Sequence, residues 1–256
     1  MTSSTSKTHF VEVSIITVSR NDYSGFQETL ESVVSQNFSN WEMLSIIHSD
    51  SQSSVKFAEK ASKSDSRVKV IEDKGDGIYQ AMNLGLEYAT GKYVVFMNSG
   101  DEFFDSNSLD SLHTAVSEYE SVLAVGQFLV KGVRNRARKI QTGSVNKGVF
   151  AFNRTWGCHQ AMIFKFIKEM KFDTRYELAS DFDFVLRYFD LGTVHRLDNL
   201  VAKISPGGKA DSNLQKVFFE KFLVRRSRLK GPIYLFFNLN WTLMALSKMY
   251  VKRFFG

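Results

Sequence analysis

Residues 89–101 read ATGKYVVFMNSGD, and this stretch decides the fold. Tyr93–Met97 is apolar on both faces of an extended chain, which is typical of a central parallel strand covered by helices on both sides. Gly91 is placed to end the helix that the apolar stripe of residues 78–89 predicts. Parallel sheets bind ligands at the carboxyl ends of their strands. The polar turn that follows this strand and ends at Asp101 is therefore the first candidate for a functional site.

Three further apolar runs precede this strand: Val13–Val18, Trp41–Ile47 and Val68–Ile71. Their β-branched composition predicts buried strands, and residues 26–34 carry their apolar side chains on one face of a helix. Strands that alternate with helices indicate an α/β domain with a mostly parallel sheet. We therefore expect the turns that follow these strands to meet at one edge of the sheet.

The second half of the chain is less regular. Val122–Val130 and Val194–Ile204 predict two more strands, and Phe182–Phe189 predicts a short helix. Residues 131–148 are basic and rich in Gly, Ser and Asn, which predicts a mobile loop. Such a loop could act as a lid or hold an acceptor.

The composition bounds the class of protein. The chain has 256 residues, of which 43% are hydrophobic and 23% charged, so it is long enough for one sizeable core and is not a disordered protein. The single Cys158 excludes an intrachain disulfide, and no Cys or His cluster has zinc-site spacing. Residues 1–10 are predicted to be disordered and lack the apolar run of a secretory signal. The predicted domain covers residues 11–212 and is followed by a tail, residues 213–256.

The tail carries the basic character of the protein. Residues 216–256 hold nine Lys or Arg and one acid, a net charge of +8, whereas the rest of the chain has a net charge of −2. Its uncharged stretch, Ile233–Ser247, is shorter than the ~20 residues that a spanning helix needs. We therefore predict amphipathic helices on an anionic membrane surface. The alternative is that the tail packs on the domain; no motif supports nucleic acid as a partner.

Six segments together resemble the family 2 glycosyltransferases of the bacterial cell-envelope polysaccharide type. They are residues 13–18, 30–36, 77–85, 89–101, 158–164 and 172–184. Each segment is short, but their order and spacing are specific, and the resemblance covers roughly residues 11–210. It implies a GT-A fold, a nucleotide-diphospho-sugar donor and transfer with inversion to a lipid-linked or polysaccharide acceptor. It also implies a cytoplasmic protein, peripheral at the inner face of the membrane.

The resemblance assigns the donor side of the site. Asp101 would bridge a divalent cation, Mn²⁺ or Mg²⁺, to the donor diphosphate, a task that suits hard oxygen ligands. His195 is the weaker candidate for a further metal ligand. The residues expected to bind the donor are Thr17, Ser19, Arg20, His48, Asp50, Asp76, Asn83, Asn98, Ser99, Gly100 and Asp101.

On the acceptor side, the resemblance makes Asp181 the general base that removes the proton of the attacking hydroxyl. A purely structural role for Asp181 would be the N-cap of a helix that begins at Phe182, and the two roles are compatible. His159 and Gln160 are expected at the acceptor or the diphosphate. Cys158 is expected to be a small packed residue rather than a nucleophile.

Two departures from the family pattern leave an alternative open. Family members carry Asp just after the second strand, where this chain has His48, with Asp50 two residues on. Likewise, the family's Asp two residues before Gly77 is Gly75 here, with Asp73 and Asp76 nearby. One charge is missing as well at Asn98, which stands near the first position of the acidic motif that would bind metal. The changes at positions 48 and 75 leave the nucleotide base undecided. They also admit a catalytically degenerate nucleotide-sugar-fold adaptor at the membrane.

Overall fold

The computed structural model describes residues 10–75, 77–132, 146–152 and 158–231, together with Leu239 and Leu243. Four predictions lie wholly or largely outside these residues: the disordered N-terminus, the donor contact of Asp76, the loop at residues 131–148 and the tail beyond Gly231. They stay predictions.

The first half of the chain alternates strands and helices as predicted. Its elements are β1 (Val13–Ser19), α1 (Tyr23–Val34), β2 (Trp41–His48), α2 (Gln52–Ser64), β3 (Val68–Asp73), α3 (Ile78–Tyr88) and β4 (Tyr93–Phe96). The four strands pair in parallel in the order β3-β2-β1-β4. Their carboxyl ends therefore share one edge of the sheet, where the loops after β1, β2 and β4 meet.

The second half extends this sheet with mixed pairing. Its elements are β5 (Glu102–Phe103), α4 (Ser108–Glu118), β6 (Leu123–Val130), α5 (Lys147–Phe152), β7 (Met162–Lys165), α6 (Ser180–Tyr188), β8 (Val194–Ile204), α7 (Lys209–Ser212) and α8 (Leu214–Arg228). The complete order is β3-β2-β1-β4-β7-β6-β8-β5. β7 runs antiparallel to both β4 and β6, whereas β6 and β8 are parallel. The fold is thus α/β with a mixed sheet: the strand pairs of the first half are all parallel, and the second half contains both parallel and antiparallel pairs.

An aromatic cluster on one face of the sheet fixes the helix that carries the candidate base. Phe172 stacks on Phe184 of α6 with ring centroids 4.2 Å apart, and it packs edge-on against Phe96 of β4 at 5.0 Å. Phe96 and Phe184 are buried. Burial of such large rings supplies several kcal/mol, so α6 is held firmly against the end of β4.

Gly91 allows the turn before β4 to approach β1 closely. A Cβ atom at this position would stand 2.6 Å from the backbone nitrogen of Ser14. The Ser14 hydroxyl instead accepts a hydrogen bond from the Gly91 N–H at 2.8 Å and donates to the buried carboxylate of Glu42 at 2.6 Å. Glu42 also accepts from the backbone and hydroxyl of Thr90. α3 ends at Tyr88 with Ala89 as its C-cap, so Gly91 does not end the helix as predicted, but it fits the turn into this network.

Helix α8, which begins just after the predicted boundary at residues 212–213, packs on the α/β domain. Val217 and Val224 are buried, and Arg225 is 1% exposed. The Arg228 guanidinium pairs with the carboxylate of Asp183 in α6 at 2.6 Å and 3.2 Å. Val217, Val224 and two arginines of α8 are used in contacts with the domain, whereas Leu214 and Phe219 are exposed.

Glu220 makes a second connection between α8 and the rest of the domain, through three backbone hydrogen bonds. Its carboxylate is 6% exposed and accepts hydrogen bonds from the backbone N–H groups of Glu177, Leu178 and Ala179 at 3.2, 2.8 and 3.0 Å. These three residues directly precede α6. Glu220 therefore sets where α6 begins. Within the residues described, no helix is long and apolar enough to cross a membrane.

Candidate active site

The turn after β4 is held by hydrogen bonds to α1 and to its N-cap residue Asp22. Gly100 has φ +88°, a conformation that favours glycine. Its N–H donates to the Thr29 hydroxyl of α1 at 3.0 Å, and that hydroxyl lies 2.7 Å from the Asp101 carbonyl, to which it donates. Ser99 donates to the carboxylate of Asp22 at 2.8 Å. These contacts fix the turn at the carboxyl end of β4, as predicted from the sequence.

Asp101 is turned inward from this turn. Its carboxylate accepts from the Gln160 amide at 2.8 Å and from the Ser205 backbone N–H at 2.9 Å, and the residue is 5% exposed. Burial raises the pKa of Asp101 to about 6, although these two hydrogen bonds lower it. Gln160 in turn accepts from the Cys158 thiol. Burial also raises the pKa of Cys158, so the thiol stays protonated, in line with a packed residue.

His159 connects the donor-side turn to the candidate base. Its Nε2 lies 3.4 Å from the Asn98 amide nitrogen, and its Nδ1 lies 3.4 Å from a carboxylate oxygen of Asp181. The Tyr79 hydroxyl donates to the other oxygen of Asp181 at 3.1 Å. Asn98, His159, Asp181 and Tyr79 come from four separate segments of the chain and form one line of polar contacts between the turn after β4 and the start of α6.

Asp181 supplies the carboxylate of this line, and 32% of its side chain is exposed. It is the second residue of α6, and the N-cap is Ala179, so the predicted N-cap role is wrong. Its carboxylate accepts instead from the Phe182 N–H at 2.8 Å in the first turn. Burial raises its pKa, but the hydrogen bond and charge of His159 outweigh burial and bring the pKa to about 2. Asp181 is therefore ionised at neutral pH.

The loops after β1 and β2 form an exposed rim beside this line. Arg20 pairs with Asp50 at 3.2 Å, and Asp50 pairs with the His48 ring at 2.6 Å. The side chains of Arg20 and Asp50 are 50% and 42% exposed. The Asn21 N–H donates to the Ser51 hydroxyl at 2.8 Å and ties the two loops together. The structure thus brings together the three rim residues that the sequence predicted.

Three predicted donor residues are occupied or buried. Thr17 is fully buried within β1, and Ser19 is 2% exposed and faces Ser99. Asn83 uses its amide on the backbone of Phe172, accepting at 2.7 Å and donating at 2.9 Å. These side chains therefore lie beneath the surface of the site. Residue spacing alone does not show this, because it does not tell which way a side chain on a strand or helix points.

His195 does not lie near Asp101. β8 pairs along β6 from Leu123↔Val194 to Val130↔Ile204, so its two ends lie roughly 23 Å apart at ~3.3 Å for each residue of β6. His195 is near its start, stacked on Tyr119 with ring centroids 3.8 Å apart. Ser205, which contacts Asp101, directly follows its end. The prediction that His195 and Asp101 share a metal ion is therefore wrong.

Sequence reasoning missed two residues of the site. Tyr79 lies in a quoted segment, yet only the fold shows that its hydroxyl reaches Asp181. Lys221 of α8 lies with its ammonium 5.2 Å from the ring centre of Phe182 and interacts electrostatically with Asp181 and Cys158. The sequence predicts that the tail lies on a membrane. The only sequence signal for a role of Lys221 in the site is that it directly follows Glu220, the one acid of the tail.

The oxygen atoms near Asp101 fit a hard divalent cation that is held mainly by a ligand's phosphates. The Asn98 side-chain oxygen is buried without a hydrogen-bond partner in the described structure. The Asp101 carboxylate has two lone pairs beyond its two hydrogen bonds. No cluster of three His, Cys, Asp or Glu residues occurs in the described ranges. Mg²⁺ usually needs only one or two carboxylates when phosphates supply other ligands.

Residues 14–187 match the family described as Glycosyl transferase family 2. The chain belongs to this family. The PGL/p-HBAD biosynthesis glycosyltransferase of Mycobacterium bovis BCG is 28% identical over 127 residues, which are 48% of this chain and 48% of that protein. Glycosyltransferase GlyA of Streptococcus pneumoniae serotype 4 is 26% identical over 117 residues, 46% of this chain and 17% of GlyA. The match spans less than half the length of either relative.

Solved structures confirm the predicted GT-A fold for this family 2 chain. Staphylococcus aureus TarS 1-349 has a TM-score of 0.69 at 15% identity and covers 91% of this chain and 71% of TarS 1-349. The same protein in complex with UDP has a TM-score of 0.66 at 16% identity, covering 88% and 68%. Mannosyltransferase PcManGT from Pyrobaculum calidifontis, in complex with GDP-Man and Mn²⁺, has a TM-score of 0.66 at 13% identity, covering 90% and 68%.

Proposed function

We propose that the protein transfers a sugar, with inversion, from a nucleotide-diphospho-sugar to a lipid-linked or polysaccharide acceptor in bacterial envelope glycan assembly. The observation that carries the proposal is the placement of an open, ionised Asp181 one histidine away from the turn of Asn98 and Asp101. The UDP complex of TarS and the GDP-Man complex of PcManGT support a nucleotide-sugar donor.

In this proposal Asp181 accepts the proton of the acceptor hydroxyl while the hydroxyl oxygen attacks the anomeric carbon. His159 orients the carboxylate and keeps it ionised, and Tyr79 holds its second oxygen. A single displacement needs no second carboxylate. The low pKa of Asp181 makes it a weak base in the free protein, so we expect proton transfer to be late, when the attacking oxygen has become acidic.

On the donor side, Asp101 and the Asn98 oxygen would hold a divalent cation. When bound, such a cation neutralises charge on the diphosphate. The rim formed by Arg20, His48 and Asp50 is half-exposed and offers both donors and acceptors. We assign it to the ribose and base of the nucleotide. Ser99 and Gly100 would lie along the diphosphate.

Thermal shifts against UDP-, GDP-, dTDP- and CMP-sugars, with and without Mn²⁺ or Mg²⁺, test the donor side. A ligand that binds only the folded state raises the melting temperature. We expect one nucleotide class to stabilise the protein more with metal than without. If none does, the degenerate adaptor becomes the better account.

The variant Asp181→Asn tests the base. It should keep the nucleotide shift and lose about 10²–10⁴-fold in transfer rate, the usual contribution of a general base. Asp198→Asn is a matched control, because the Asp198 side chain is 81% exposed on β8. Near-normal turnover in the Asp181 variant would refute the assignment.

We also propose that the protein is cytoplasmic and peripheral at the inner face of the membrane, held by its basic tail. The net charge of +8 in residues 216–256 supports this. Pelleting with anionic liposomes should require residues 232–256. A chain that ends at Gly231 keeps α8 and is the appropriate truncation, and if it pellets as well as the full chain, the proposal fails.

A further inference from the structure

Lys221 differs from the other cations of α8 in how it is used. Lys216 pairs with Glu177, Arg228 pairs with Asp183, and Arg225 donates to the Ala151 carbonyl at 3.3 Å. Arg226 faces solvent. The Lys221 ammonium lies over the Phe182 ring, and no carboxylate of the described residues is within ion-pairing distance of it. A partly buried cation without an acidic partner is costly unless a ligand meets it.

The position of Lys221 is fixed by its neighbours. Glu220, the preceding residue, is bound to the backbone just before α6. Phe182, whose ring lies below the ammonium, directly follows Asp181. Lys221 therefore lies beside the residue that follows the candidate base, and it interacts electrostatically with Asp181 and Cys158.

Reaction geometry tells which substrate such a cation meets. In an inverting displacement the base and the leaving phosphate stand on opposite faces of the sugar ring. A cation beside the base is therefore on the acceptor side, away from the donor diphosphate. Arg225 also interacts with Lys221, and burial lowers the pKa of both residues. Both cations lie over the ring of Phe182, the residue that follows Asp181, with the Lys221 ammonium 5.2 Å and the Arg225 guanidinium carbon 6.0 Å from its centre.

We infer that Lys221 binds an anionic group, a phosphate or carboxylate, carried by the acceptor close to its attacking hydroxyl. This inference rests on the proposed function and narrows its acceptor to an anionic class. An anion next to the ionised Asp181 would be repelled without a cation beside it. Lys221 thus both attracts the acceptor and allows the base to stay charged. Lys221 is a binding residue here and takes no part in proton transfer.

Hexyl phosphate and neutral hexyl glucoside are suitable probes, titrated by calorimetry into the full chain with and without a saturating nucleoside diphosphate. We expect the phosphate to bind in the presence of nucleotide. Lys221→Gln should weaken it about tenfold or more, the value of a hydrogen bond to a charged group. Lys221→Arg, which keeps the charge, should largely restore binding. The glucoside should not respond to either variant.

Arg226→Gln is the matched control on the outer face of the same helix. Phosphate affinity that is equal in wild type and Lys221→Gln, or that falls with Arg226→Gln instead, would overturn the inference. So would no phosphate binding by the wild type. Nucleotide affinity is measured separately, so its loss counts against the proposed function. The difference between wild type and Lys221→Gln counts for or against Lys221 in either case.

Discussion

Removal of the Glu220 carboxylate should destabilise the domain and loosen the start of α6, the helix that carries Asp181. In Glu220→Ala the backbone N–H groups of Glu177, Leu178 and Ala179 lose their acceptor. Hydrogen bonds to a charged group contribute roughly 1.5–3 kcal/mol each. The third bond is long at 3.2 Å and partly exposed, and a buried charge is removed at the same time. We therefore expect the free energy of unfolding to fall by roughly 3–5 kcal/mol.

Urea unfolding followed by circular dichroism measures this change directly. A loss of 1 kcal/mol lowers the melting temperature by about 2–4 °C in a domain of this size, so the thermal midpoint should fall by roughly 10 °C. Glu177→Gln is the control: its side chain is 64% exposed and pairs only with Lys216 on the surface, so it should cost about 0–1 kcal/mol. If Glu220→Ala loses less than about 1 kcal/mol, the contacts before α6 do not anchor it.

Three further changes test other contacts. In the folded state the pKa of Asp181 is about 2, below its ordinary 3.8, so its contribution to stability is complete above about pH 4 and is lost as pH falls towards 2. His159→Gln should raise that pKa, and acid unfolding followed by circular dichroism should begin at higher pH; an unchanged acid midpoint would contradict this. Gly91→Ala should cost about 1–3 kcal/mol in urea unfolding because its Cβ meets backbone, whereas Gly208→Ala, with open space around it, should be neutral; equal costs would show that the close approach is unimportant. Thr29→Val leaves the N–H of the turn after β4 without its acceptor and should cost about 1–3 kcal/mol and weaken the nucleotide shift, while Thr29→Ser should restore both.

Much of the first half could be predicted from sequence because its elements are local. The run Tyr93–Met97 is continuously apolar and the stripe of residues 78–89 has a helical period, and β4 and α3 match them within two residues. The parallel order of the first strands then places the turns together. Asp101, Arg20 and Asp50 therefore lie in loops at one edge of the sheet, whereas their donor-binding roles come from the family resemblance and stay predictions.

The second half depends on contacts between distant segments, which no period encodes. β7 is four residues long and runs antiparallel to the strand on either side of it. Nothing in so short a sequence distinguishes it from a loop. His195 was assigned to a strand correctly, but the direction of β8 puts it at the wrong edge. Tyr79 reaches Asp181 across 102 residues of chain. Such partners follow only from the assembled sheet.

The anchoring of α6 by α8 has a consequence for synthesis of the chain. Glu220 follows Asp181 by 39 residues, so it is made well after the candidate base. When the base first emerges, the backbone ahead of it has no acceptor and Lys221 has not been delivered. A prematurely terminated product that stops before α8 would possess every sheet strand and still hold the base loosely. The contacts that position the candidate base are therefore complete only once the chain has been made through this helix.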